Sequence, residues 1–433
     1  MAMRLYQPVL FVGLGGTGCD VGAEFERRLR DEICGPDGND FRKRRHAASM
    51  LPYQLPACVQ FVYADMNQHE LQRLPRRVAP GPEHEPAVAE TAHYASGLVP
   101  RVASYPELAR NLRLQAGRVI DPWLPPAEGE PRVNPLFKGA GQFPTIGRAA
   151  LFGTFLDDKD TARAAKDIHT AIGKLAGSGA DLQALGGQLP RGLDVFVAFS
   201  VAGGTGCGIF YDYLHLIVEA MPAELRVKIF PLVLMPSAFE PGLGGGRAAE
   251  LNAGRALLDL FRLVDEQNGG DARRDLVSLV DPGPIDPDEV AVHYPGNQKI
   301  VLPAGIIQTG FLFSRPDGAT RSDMHRSIVS LMLSLVGTEL TEEDHRAGDQ
   351  HQSFADSFVN EAVHRQVPAM NAIGNQGVST ALVASLTVPV DDLAGIVGAR
   401  LLRAAVEQMA EPVRGESNLD AMEEFLRDRK SVV

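Results

Sequence analysis

Short apolar runs alternate with amphipathic segments along this chain of 433 residues. The apolar runs are rich in β-branched and aromatic residues, which is typical of buried parallel strands. They predict strands at 8–13, 59–65, 193–200, 227–235, 306–314 and 383–390. The segments between them repeat apolar residues at helical spacing and predict helices at 20–32, 161–176, 209–220, 247–266, 322–336 and 392–409. This alternation predicts an α/β fold built on a doubly wound, mostly parallel sheet.

Two glycine-rich loops each follow a predicted strand and precede a predicted helix. The first contains Gly13, Gly15, Gly16, Thr17 and Gly18. The second contains Ala202, Gly203, Gly204, Thr205, Gly206, Cys207 and Gly208. Such a loop presents backbone N–H groups and the positive end of a helix to an anion, and glycine lets a phosphate oxygen approach the backbone closely. Both loops are therefore candidates for phosphate binding, and the alternative is that their glycines only allow close packing.

Two common nucleotide-binding motifs fit these loops poorly. Gly13, Gly15 and Gly18 match the dinucleotide fingerprint, but that motif needs a ribose-binding acid about twenty residues later. The acid at the end of the next predicted strand is Asp65, much farther along the chain and beyond a polar insertion. Neither loop is followed by the lysine and hydroxyl residue of a P-loop. An NAD-dependent oxidoreductase on a Rossmann sheet remains an alternative.

The second loop resembles the signature loop of the tubulin/FtsZ superfamily. Ala202 replaces the first glycine of that signature, and Cys207 replaces a serine or threonine. The first glycine loop is similar to the family's first nucleotide loop, and Asp65 matches the acid of its second. Further similar positions, in the family's order, are Gly139, Ala140, Gly141, Glu240 and Asn252. Over residues 8–253 the chain looks like a divergent bacterial member of this superfamily, neither tubulin nor FtsZ.

The resemblance implies a single site for GTP or GDP, with Mg²⁺ as the accompanying ion. The two glycine loops would hold the phosphates, and residues 139–141 would approach the γ-phosphate. Glu240 would contact the ribose and Asn252 the base. Asp65 would belong to the same site, although a helix cap is an alternative for this residue.

The resemblance also implies self-association into filaments and hydrolysis of GTP that is completed between subunits. In this superfamily a loop after a central helix brings acids to the neighbouring subunit's nucleotide. The matching stretch, 368–377, contains asparagine but no carboxylate, so no catalytic residue is assigned. We therefore expect either a GTPase that forms filaments or a GTP-binding scaffold or switch without turnover, which assembles on other proteins or membrane-associated adaptors.

The resemblance divides the chain into three parts. We predict a tubulin-like nucleotide-binding domain at 1–320, with surface insertions near 35–56 and 75–145. A central helix and loop would follow at 321–380. Residues 381–433 would supply only the start of a second α/β domain, which leaves open that the sequence is a piece of a longer protein.

Charge and cysteine content narrow the function further. The formal net charge of −12 argues against a nucleic-acid partner, because phosphate backbones require a basic surface. It does not argue against a nucleotide, which backbone N–H groups can hold. The four cysteines lack C-x-x-C spacing, so neither a zinc site nor a disulfide framework is expected. No signal-peptide pattern is found at the N-terminus, and we expect a cytoplasmic protein.

Overall fold

A parallel β-sheet forms the centre of the protein. The computed structural model describes residues 4–157, 163–187, 192–222, 226–239, 245–267, 290–296, 298–302, 306–307, 310–336, 378–380 and 390–410. Within these ranges the strands are β1 (Val9–Leu14), β2 (Val59–Ala64), β3 (Ala92–Tyr94), β4 (Gly192–Ser200), β5 (Arg226–Leu234), β6 (Val290–Tyr294), β7 (Gln298–Leu302), β8 (Gly310–Phe313) and β9 (Val378–Thr380). Seven of these described strands form one sheet in the order β3-β2-β1-β4-β5-β8-β9, while β6 and β7 form a separate antiparallel pair.

Helices connect the strands and cover both faces of the sheet. The described α-helices are α1 (Gly15–Cys34), α2 (Asp40–Arg45), α3 (Gln68–Arg73), α4 (Pro75–Val78), α5 (Glu85–Ala89), α6 (Tyr105–Gln115), α7 (Pro144–Asp157), α8 (Arg163–Ala176), α9 (Gly179–Ala184), α10 (Thr205–Glu219), α11 (Arg247–Gln267), α12 (Arg321–Val336) and α13 (Val390–Ala410). Among the residues that the structure describes, no helix is both long and apolar enough to cross a bilayer.

The sheet is buried on both sides. Successive side chains of a strand point to opposite faces, so Leu10 and Val12 of β1 enter one apolar core while Val9 and Phe11 enter the other. The pairings of β1 with β2 and with β4 are both parallel and in continuous register. The predicted doubly wound, mostly parallel α/β fold is confirmed.

The segment 75–145, which the sequence predicts to be a surface insertion with short helices, contains the short helices α4, α5 and α6 and also contributes to the sheet and the core. Its residues 92–94 form the edge strand β3, which pairs in parallel with β2. Helix α6 buries Tyr105, Leu108 and Leu112 in one of the two cores. The many prolines of this segment suggested a surface loop, but the apolar residues between them are spaced closely enough to pack on the sheet. Strands β3, β6, β7 and β9 were not predicted.

The chain separates into two compact units, Met1–Val383 and Ala384–Val433. The described part of the second unit is helix α13, which agrees with the helix predicted at 392–409. The strand predicted at 383–390 lies outside the described residues, apart from Val390, which begins α13. The proposed division at residues 320 and 380 stays a prediction.

A buried ion pair joins α1 to the sheet. Arg30 and Glu26 contact each other on α1, and both side chains are almost fully buried. Tyr63 of β2 donates to Glu26 Oε2 at 2.7 Å, and Arg30 Nη2 donates to Thr91 Oγ1 at 3.4 Å. Burial raises the pKa of Tyr63, and the Glu26 carboxylate raises it further. The network holds α1 in place over β1 and β2.

Replacing Arg30 with methionine is expected to lower the free energy of unfolding by about 3–5 kcal/mol, because the Glu26 charge would remain buried without its partner. Urea denaturation measures this loss. Arg27→Met on the same helix is the matched control, since Arg27 contacts Glu24 and Asp31 near the surface and should cost less than about 1 kcal/mol. Equal losses in the two variants would contradict the argument.

Candidate functional site

The two glycine loops lie at the point where the strand order reverses. Strand β1 is flanked by β2 on one side and β4 on the other. Helix α1 begins at Gly15, directly after β1, and α10 begins at Thr205, soon after β4 ends. In open α/β sheets ligands bind outside the carboxyl ends of the strands at such a reversal. Both helix N-termini therefore face the position where this fold class binds its ligands.

The two loops contact each other backbone to backbone. Gly15 has a φ of 68°, and a Cβ atom on it would lie 2.7 Å from Gly206 N. A Cβ atom on Gly206 would lie 2.6 Å from Leu14 O, and one on Gly18 would overlap Ala198 O of the neighbouring strand. Real Cβ atoms do not approach so closely, so these three positions require glycine to let the loops meet.

A third loop, residues 139–141, packs against the second glycine loop. A Cβ atom on Gly204 would lie 2.5 Å from Gly141 O and 2.8 Å from Ala140 Cβ. Gly139 and Gly141 both have a positive φ, of 113° and 59°. Residues other than glycine rarely adopt such backbone angles. Three loops that are far apart in the sequence thus converge at one place.

The three loops enclose a cavity of about 330 Å³, which is in the size range of small-molecule sites. The predicted site residues that line it are Gly15, Gly16, Thr17, Asp65, Gly139, Ala140, Gly141, Gly203, Gly204, Thr205 and Gly206. A Cβ atom on Gly203 would meet nothing within 4 Å. Gly203 is therefore a lining glycine that packing does not explain.

Asp65 is a carboxylate at the wall of this cavity. It is 5% exposed, and its Oδ1 accepts a hydrogen bond from Met66 N at 2.8 Å. Burial raises the pKa of Asp65, while hydrogen bonds from the Thr205 hydroxyl and the Met66 amide lower it. The side chain thus links the end of β2 to the second glycine loop. Within the described residues no group of three or more acidic, histidine or cysteine side chains is arranged to hold a metal ion.

Several predicted site residues do not line this cavity. Gly13 and Gly18 pack against each other and the sheet. Cys207, Gly208 and Asn252 line a neighbouring cavity of about 420 Å³ between α7, α10 and α11. Burial raises the pKa of Cys207 to about 12. Glu240 lies outside the described residues.

Asn252 holds the loops together. Its Nδ2 donates to Gln142 O at 3.0 Å and to Ala202 O at 3.2 Å. The amide thereby joins helix α11 to Gln142, which directly follows the third loop, and to the second glycine loop. The structure thus places this side chain against backbone carbonyls and outside the cavity that the glycine loops line.

The structure adds residues that the sequence did not indicate. Further cavity-lining residues are Leu14, Asp20, Asn67, Glu70, Lys138, Ser200 and Arg321. Arg321, at the start of α12, donates to Asp20 Oδ2 at 3.1 Å and to Thr17 Oγ1 at 3.4 Å. Lys138 directly precedes the third loop, so its position next to Gly139 could have indicated that it lies near the site. Arg321 is 304 residues from Thr17, and no local pattern connects the two.

Glycines that pack and glycines that line the cavity should respond differently to alanine. Gly18→Ala is expected to lower the free energy of unfolding by about 1–3 kcal/mol, because the added methyl forces the loop away from Ala198. Gly203→Ala should stay within about 0.5 kcal/mol, since its added methyl meets no atom of the protein. Urea denaturation of both variants measures the difference. A similar large loss for Gly203→Ala would show that this glycine is also required for packing.

Comparison with known proteins identifies a family. The family model described as "Tubulin like" matches residues 10–407, a range that contains all three loops. No curated relative matches the sequence.

Solved structures with a similar chain path include filament-forming proteins. CetZ2 from Haloferax volcanii, as a GTPγS-bound protofilament, is 13% identical with a TM-score of 0.36, over 76% of this chain and 57% of that one. TubZ of Bacillus thuringiensis serovar israelensis, also a GTPγS-form protofilament, is 11% identical with a TM-score of 0.34, over 82% and 61%. This chain thus spans less than two thirds of each.

Proposed function

We propose a nucleotide-binding function from one premise: the chain belongs to the tubulin-like family. The proposed ligand is a guanine nucleotide, GTP or GDP, held in the cavity between the three loops. The observation that carries the proposal is the meeting of two glycine loops, nearly 200 residues apart, around one cavity at the strand reversal. The family match does not favour a dinucleotide-dependent oxidoreductase.

The phosphates would be held mainly by backbone groups. The N-termini of α1 and α10 each carry a partial positive charge of roughly half an elementary charge, and their first backbone N–H groups lack partners within the helix. Gly16 and Gly203 leave space for phosphate oxygens. A Cβ atom on Gly203 would meet nothing within 4 Å, and a Cβ atom on Gly16 would meet only Asp65 Oδ2, at 3.6 Å. The site therefore suits an anion that approaches the backbone directly.

Mg²⁺ would fit beside Asp65 if the nucleotide supplies most of its ligands. Mg²⁺ in nucleotide sites is typically held by one or two carboxylates together with phosphate oxygens and water, and Asp65 offers one buried carboxylate. When bound, the ion would neutralise phosphate charge. Asp65 and Thr205 would orient each other at that wall through the hydrogen bond between them.

Ligand-induced stabilisation tests the proposal. We expect GTP and GDP to raise the melting temperature of the protein in the presence of Mg²⁺, because a ligand stabilises the state that binds it. ATP and NAD are the comparison ligands. Stabilisation by NAD alone would contradict the proposal, as would stabilisation by none of the four.

Two glycine substitutions test whether the nucleotide binds in this cavity. Gly203→Ala places a methyl group in the space assigned to the phosphates and should weaken GTP binding at least about tenfold, or about 1.4 kcal/mol. Gly129→Ala is the matched control, because a Cβ atom on Gly129 also meets nothing within 4 Å but this residue does not line the cavity. Equal affinities in the two variants would place the ligand elsewhere.

We further propose that the chain self-associates and that any GTP hydrolysis is completed between subunits. This rests on the family premise, and the stretch 368–377 that would carry the completing residues lies outside the described part of the chain. The measurement is phosphate release against protein concentration, with light scattering to follow assembly. We expect the rate of phosphate release to rise more steeply than in proportion to the protein concentration. Assembly without phosphate release would instead support a non-hydrolysing scaffold or switch.

A further inference from the structure

The side-chain amide of Asn252 binds two backbone carbonyls that come from distant parts of the chain. Its Nδ2 donates to Gln142 O at 3.0 Å and to Ala202 O at 3.2 Å. An amide nitrogen carries two hydrogens, so these two acceptors can use both. Helix α11 holds the amide in a fixed position, because Ala249 and Ala253, on the same helix, are almost fully buried. Asn252 therefore forms a rigid bridge between the two carbonyls.

The bond to Ala202 determines where the next N–H group points. The peptide unit between Ala202 and Gly203 is trans and planar, so its C=O and N–H groups point in opposite directions. Because Ala202 O points towards Asn252, the Gly203 N–H points away from that side chain. This N–H has no hydrogen-bond acceptor among the residues that the structure describes. Gly203 lines the cavity, so its N–H is available to a ligand there.

The bond to Gln142 holds the third loop in a similar manner. Gln142 O accepts the bond from Asn252, and Phe143 N of the same peptide unit donates to Ala140 O at 3.3 Å. This unit therefore connects Asn252 to the middle residue of the third loop. The third loop in turn packs against the second glycine loop. One side chain thus fixes both loops in the relative position that encloses the cavity.

The location of Asn252 excludes it from the lining of the cavity between the three loops. Its side chain lines the neighbouring cavity between α7, α10 and α11 instead. A nucleotide held between the three loops would therefore meet the backbone that Asn252 fixes, and Asn252 would affect the nucleotide through that backbone.

We propose that Asn252 is a positioning residue for the nucleotide, which directs the Gly203 N–H to the phosphates and holds the third loop against the second glycine loop. This inference rests on the proposed nucleotide-binding function. The role differs from the contact with the base that the sequence resemblance implied. Loss of the amide is expected to weaken the binding of a nucleotide through its phosphates and to leave the preference between bases unchanged.

Calorimetric titration with GTP and with inosine triphosphate, which lacks the exocyclic amine of guanine, tests the inference. Asn252→Ala is expected to weaken the binding of both nucleotides about tenfold, because the two hydrogen bonds that position the loops are lost. Asn252→Leu keeps most of the side-chain volume without the donor and should give the same loss. Asn39→Ala is the matched control and should bind as wild type, because it removes an exposed amide that donates to Asp37 O at 2.8 Å, away from the cavity.

A double-mutant cycle separates positioning from a general effect on the fold. If Asn252 acts through the Gly203 N–H, the two residues are coupled, and their effects on affinity are not additive. Asn252→Ala should then weaken GTP binding less than about threefold in the Gly203→Ala background, where the contact with the phosphates is already impaired. Thermal unfolding of each variant establishes that the titrations are made on folded protein, and Asn252→Leu carries the same comparison should the smaller side chain prevent folding.

The outcomes separate this inference from the proposed function. Additive losses in the cycle would overturn the role of Asn252 while leaving nucleotide binding intact. A loss for GTP without one for inosine triphosphate would do the same, since it would indicate a contact with the base, as would no loss for either nucleotide. Binding of neither nucleotide by the wild-type chain would overturn the proposed function itself.

Discussion

The close approach of two backbone loops determines the geometry of the whole site. Helices α1 and α10 can begin beside each other only because Gly15, Gly18 and Gly206 carry no Cβ atom where the loops and strand β4 meet. A methyl group at any of these positions would separate the helix N-termini. Their partial positive charges would then no longer converge on one cavity. The two helix N-termini can therefore act together on one ligand only because these three residues have no side chain.

Charge is then distributed around this backbone core by side chains that come from distant parts of the chain. Asp65 arrives from the end of β2, Arg321 from the start of α12, and Lys138 from the segment before α7. The buried carboxylate of Asp65 bonds to the loops themselves, whereas the two cations lie at the cavity's walls. For the nucleotide that we propose, backbone groups would define the position of the phosphates, and side chains would adjust how much negative charge that position accepts.

Short sequence patterns were sufficient to predict those parts of the site that are each formed by a few consecutive residues. The glycine loops, Asp65 and residues 139–141 were predicted, because each follows a recognisable strand or matches a short motif, and the structure brings them to one cavity. Arg321 could not be predicted, since its contact with Thr17 depends on the packing of α12 against α1. Strand β3 was missed for a related reason: its three residues are too few to show a periodicity, and pairing with β2 alone defines it.

The two departures from the superfamily's signature loop lie away from the cavity. The carbonyl of Ala202 accepts a hydrogen bond from Asn252, and the Cys207 thiol lies 3.9 Å from Asn252 O. Both positions therefore pack towards helix α11, while Gly203, Gly204, Thr205 and Gly206 line the cavity. A substitution on the α11 side changes how the loop is held and leaves the surface that a phosphate would meet unaltered. These two residues are thus compatible with the phosphate binding that we propose, because both contact helix α11 and neither lines the cavity.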